Sequence, residues 1–103
     1  MKALPESVVI GPIVYSIEEL PDLRDDDGPI FGELDLAGKE DCIRIERDTT
    51  IQRKVVVLWH EIIHAILEQA QQFDVPHEIV GVLAYGIVDA LRNNVALREF
   101  DTK

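Results

Sequence analysis

Residues 55–67, VVVLWHEIIHAIL, are apolar at ten of thirteen positions, and the three exceptions, His60, Glu61 and His64, fall inside the run rather than at its ends. A segment this apolar must be largely buried. Leaving three polar side chains there without partners costs on the order of several kcal/mol, so whatever the chain folds into has to give these three something to do. The apolar positions Val55, Leu58, Trp59, Ile62, Ile63, Ile66 and Leu67 recur at spacings of three and four, the signature of one helix face. Thr49 followed by Gln52 has the spacing of a capping box and sets the expected start. The helix is expected to run to about Gln72, where Phe73, Asp74, Val75 and Pro76 make a turn.

A second helix follows from Pro76, whose missing amide is tolerated in a first turn. It carries Ile79, Val80, Leu83, Ala84, Ile87, Val88 and Leu91 at helical spacing, and ends near Asn93 and Asn94 or frays toward Phe100. The two helices then have to pack on something, and the first half of the chain supplies strands. Ser7 to Ile17 is rich in β-branched residues, with a break or bulge expected at Gly11 and Pro12 and an edge position suggested by the proline. Pro21 to Pro29, with its run Asp25 to Asp27, reads as a solvated loop, because the ligand spacing of a calcium loop is missing. Ile30 to Leu36 and Cys42 to Glu46 make two further strands, antiparallel to each other across a turn at Ala37 to Asp41. The expectation is a single α+β domain over residues 1–103, with a short antiparallel sheet of about three strands packed on the two helices.

Within the first helix, HEIIH is an H-E-x-x-H sequence, and a helical setting is what gives that pattern chemical meaning. Residues four apart lie one turn above each other, so His60 and His64 can hold a single zinc ion from one face. Glu61 is rotated one position away and can act as general base on water that the ion polarises. The competing structural explanation is a pair of core histidines bonded to carbonyls, with Glu61 in an ion pair to Arg44 or Arg47. A catalytic zinc usually takes a third protein ligand, and Asp74, His77 and Glu78 all fall where the second helix begins. His77 and Glu78 point about 100° apart on a helix, so only one of the two is expected to reach the ion. Tyr85, two turns further on, is a candidate hydrogen-bond donor, but an aromatic packed in the core is the expected reading there. Cys42 is explained by strand packing, since no nucleophile pattern surrounds it.

A formal charge of −10, from twenty acidic and ten basic residues, argues against nucleic-acid binding. The 55–67 run is too short to span a bilayer, which argues against a membrane protein. No apolar run with a cleavage site follows residues 1–6, and Cys42 is the only cysteine, so a cytoplasmic setting is expected.

FGELD, CIRIE, QRKVVVLWHEIIHAIL and HEIVGVLAYGIVDALRNN, taken together over Phe31 to about Leu97, resemble the small phage and mobile-element metallopeptidases of the ImmA/IrrE type. The resemblance implies a minimal gluzincin with His60, His64 and Glu78 as zinc ligands, Glu61 as base, and hydrolysis of a peptide bond in a protein substrate. It is this resemblance that favours Glu78 over His77 and Asp74. The gap from His64 to Glu78 is short, and no DNA-binding or regulatory domain is appended, which leaves room for a regulatory partner protein. The metal is expected between the helices, facing an exposed sheet edge where a substrate strand could pair. The rival reading is a phage binding module that has kept zinc for stability alone and hydrolyses nothing.

Overall fold

The computed structural model describes residues 4–99. The chain is built of β1 (Ser7–Ile10), β2 (Ile13–Leu20), β3 (Arg24–Asp25), β4 (Gly28–Pro29), β5 (Gly32–Asp35), β6 (Cys42–Glu46), α1 (Ile51–Gln69), α2 (His77–Asn93) and α3 (Val95–Glu99). The α+β class is as expected, but the sheet is larger and its pairing is mixed. Four strands lie in the order β1-β2-β6-β5, and β3 and β4 form a separate two-stranded ribbon.

The break expected in the first strand is a complete reversal. Ile10 pairs with Ile13 across a two-residue turn in which Gly11 has φ +57°, so β1 and β2 are an antiparallel hairpin. Glycine in the first central position is what a type II′ turn needs, and Pro12 sits in the turn rather than on a strand edge. β2 then pairs in parallel with β6, Ile17 opposite Ile43, while β5 and β6 are antiparallel, with Leu34 opposite Ile43. The parallel contact joins strands far apart in sequence and is invisible to local periodicity. The loop expected at Pro21 to Pro29 holds the β3–β4 ribbon, turned by Asp25, whose Oδ1 accepts the Asp27 amide at 2.8 Å.

α1 begins one residue later than the capping-box spacing suggests. Thr50 is the N-cap, and its Oγ1 accepts the Arg53 amide at 3.2 Å, which makes Gln52 the second helical residue rather than the third. The helix ends at Gln69, because Gln71 turns into the left-handed region at φ +57°. At that end Gln69 Nε2 donates to Ile10 O and to Tyr15 Oη, each at 2.8 Å, and ties the helix to the β1–β2 hairpin. Near the other end Lys54 pairs with Glu19 of β2 at 2.6 Å.

The wheel of α1 explains where a site can form. Leu58 and Ala65, with half-buried Ile62, pack against Tyr15, Ile43 and Ile45 of the sheet. Ile63, with Val56, Trp59 and Leu67, packs against Val80 and Ala84 of α2. Sheet, α1 and α2 thus form three layers. At about 100° per residue the stripe Arg53, Val57, His60, Glu61 and His64 falls between the two buried faces, opening onto the groove between the β5 edge and α2. No helix among the described residues is long and apolar enough to cross a membrane.

Candidate metal centre

His60 and His64 come from successive turns of α1, and His77 from the first residue of α2, just after the turn that Pro76 closes. Their three ligand-capable ring nitrogens all lie within 4.8 Å of one another. Ring centroids are 4.7 Å apart for His60 and His64, 4.6 Å for His60 and His77, and 5.2 Å for His64 and His77. The Nε2 atoms of His60 and His64 approach to 3.1 Å. Two imidazoles on one tetrahedral ion, bonded at about 2.0–2.1 Å, place their nitrogens about 3.3–3.4 Å apart, so the motif pair has close to the required bite.

The residue beside the motif pair is not the preferred Glu78. Of the three candidates in this region, the structure brings His77 to the motif histidines, while Asp74 and Glu78 are exposed and stand outside the cluster. The expectation that only one of His77 and Glu78 would face the site follows from the helix wheel. Which one does so depends on how α2 is rotated, and that rotation is set by Val80, Ala84 and Val88 being buried.

The electrostatics suit ligation. Burial, and then the neighbouring His64 and His77 rings, push His60 down to about 4. Burial and then His77 lower His64 also. Both rings are thus neutral near pH 7, the form that donates a lone pair to a metal.

Glu61 is the one buried charged residue among those described, 6% exposed. Burial, and then the negative charge of Glu33, push its carboxyl up to about 7. It pairs with neither arginine of the structural alternative: Arg44 binds Asp35, Glu33 and Glu18, and Arg47 binds Asp48. Its carboxylate instead borders two clefts. One, of about 530 Å³, is lined by Glu61, His60, His77, Gly32, Phe31 and Tyr85 among others. The second, of about 370 Å³, has Glu61, His64, Leu34 and Phe73 in its wall. The histidines and Glu61 thus sit where two stretches of one groove meet beside β5, an edge strand.

Three residues of this groove carry more than their sequence context suggested. Gly32 lies so close to α1 that a β-carbon there would run into Val57 Cγ1 and stand 3.2 Å from Glu61 Oε2. An isolated glycine at a strand start is the legible trace of such an approach. Tyr85 is 65% exposed and lines the groove, so the core role considered for it does not hold. Arg53 lies seven residues before His60 on the same helix stripe and also lines the groove. Comparison with family models, with curated proteins and with solved structures finds no match to this chain.

Proposed function

We propose that this chain is a zinc-dependent metallopeptidase in which His60, His64 and His77 hold the ion and Glu61 handles the proton. The observation that carries the reading is the convergence on a single groove of three imidazole nitrogens and one buried carboxylate that makes no ion pair among the described residues. A zinc ion, when bound, supplies a Lewis acid that activates water and polarises a carbonyl. The rest is done by the chain. The neutral rings of His60, His64 and His77 orient that centre between α1 and α2. Glu61, whose side chain borders the same groove, accepts a proton from water at its carboxylate and returns it to the leaving amine nitrogen. The free edge of β5 offers backbone groups to an extended peptide lying in the groove.

A protein substrate and a phage or mobile-element origin are the part of the proposal that rests on the ImmA/IrrE-type resemblance, the cytoplasmic setting rests on the sequence features above, and the three-histidine set departs from the glutamate ligand of that pattern. The second reading, zinc kept for stability alone, is favoured by the modest core: only eleven apolar side chains among the described residues are buried.

Metal analysis of protein purified without chelator tests the site, with one zinc per chain expected in the wild type and far less in His60→Ala, His64→Ala and His77→Ala. Cleavage of a peptide mixture that stops on chelation and returns with zinc would support the peptidase. Full zinc content in all three variants would end the reading.

A further inference from the structure

We propose that the groove selects peptides with a carboxylate side chain about three residues from the scissile bond, and that Arg53 is the group that reads it; this rests on the peptidase reading above. The register follows from α1. Arg53 and His60 are two helical turns apart on one stripe, a rise of about 10 Å. An extended chain covers about 3.3 Å per residue, so three residues of a bound peptide separate the metal centre from the guanidinium.

Arg53 is placed for this task in two ways. Its guanidinium carbon stands 4.6 Å from the centre of the Phe31 ring, which holds the charge at the groove wall just before β5. It also lines both the metal cleft and an adjoining cleft of about 270 Å³ that includes Arg92, Tyr85 and Asp89, so the groove continues past Arg53 toward a second arginine.

The pairing of the cations sharpens the point. Arg24, Arg44, Arg47 and Lys54 each hold a carboxylate of their own chain. Arg53 and Arg92 make no ion pair among the described residues, although Asp25 and Asp89 lie in the walls of the same clefts. Asp89 accepts a bond from Asn93 instead. A net charge of −10 repels acidic peptides at long range. Over a screening length of about 8 Å, however, a direct fork-to-carboxylate contact outweighs distant charges. Arg53 is solvent-exposed, so the contact is worth about two- to fivefold in kcat/KM rather than more.

The test is cleavage of a random peptide mixture by the zinc-loaded protein, with cut sites read by mass spectrometry. Aspartate and glutamate should be enriched about two- to fivefold at a position two to four residues from the cut bond, on one side only. Arg53→Glu should reverse the preference at that position toward lysine and arginine, with zinc content and Tm serving as controls for folding. Cleavage with no acidic preference, or a preference that persists in Arg53→Glu, overturns the role of Arg53 and leaves the peptidase standing. No cleavage of any peptide overturns both.

Discussion

The Nε2 atoms of His60 and His64 stand 3.1 Å apart, one helical turn from each other, and the His77 ring closes on both from the start of α2. Three imidazoles gathered this way are poorly explained as core packing, because His77 is exposed and, among the described residues, His60 and His64 bond to each other and to no carbonyl. The ion proposed above would account for the arrangement, and it would join α1 to the first residue of α2.

His77 rather than Glu78 should carry the third bond. His77→Ala is expected to weaken zinc affinity by orders of magnitude and to remove the rise in Tm that zinc gives the wild type, since a ligand that binds only the folded chain stabilises it by mass action. Glu78→Ala should leave affinity within a few-fold. A chelator-competition titration of both variants decides between them, and the opposite order of effects would restore the glutamate ligand.

The metal-free protein should respond to pH through two opposed groups. Glu61 is raised from its ordinary 4.5 to about 7, so the stability it contributes is complete below about pH 4.5 and is lost as pH rises through 7. His60 is lowered from 6.5 to about 4, so its share is present above about pH 6.5 and is lost as pH falls toward 4. Glu61→Gln keeps the shape and removes only the first effect. Urea unfolding of the metal-free variant should show a gain of about 3 kcal/mol near pH 8 and almost none near pH 4.5. A gain that is the same at both would mean that Glu61 is not held neutral by burial.

Gly32 should tolerate no side chain. Gly32→Ala places a methyl group against Val57 Cγ1 and beside Glu61 Oε2, so β5 has to move away from α1. Overpacking of this kind costs about 1–3 kcal/mol, which denaturant titration would measure, and zinc affinity should fall in parallel because the same helix stripe carries His60 and His64. Unchanged stability would show that the edge strand is loosely held.

Gln69 should matter although it touches neither groove nor metal. Its amide bonds Ile10 O and buried Tyr15 Oη, so Gln69→Ala leaves both acceptors short of a donor. A loss of about 1–3 kcal/mol is expected, with zinc affinity nearly unchanged.

Both long helices were legible in the sequence because their apolar spacing is sustained over four or more turns, and His60, Glu61 and His64 were legible because polar residues inside such a run are costly. Cys42 to Glu46 was legible to the residue, since its alternation is bounded by turn signals. What local pattern could not carry were the long-range choices. Gly11 and Pro12 mark a reversal as readily as a bulge, and only the pairing of Ile10 with Ile13 distinguishes them. The parallel register of Ile17 with Ile43 depends on how the intervening chain crosses, which no periodicity records. His77 and Glu78 are separated only by the rotation of α2, and that follows from which of its faces Val80 and Ala84 bury against Ile63.

The role of Glu61 is tested most directly by the rate at which the zinc-loaded Glu61→Gln variant cleaves a peptide that the wild type cleaves, compared at equal zinc content. Because His60, His64 and His77 are untouched, the variant should keep its metal and its fold while losing about 10²–10⁴-fold in rate, the usual worth of a general base. Cleavage at the wild-type rate by a variant with full zinc would contradict the role of Glu61 and, with it, the mechanism proposed for this groove.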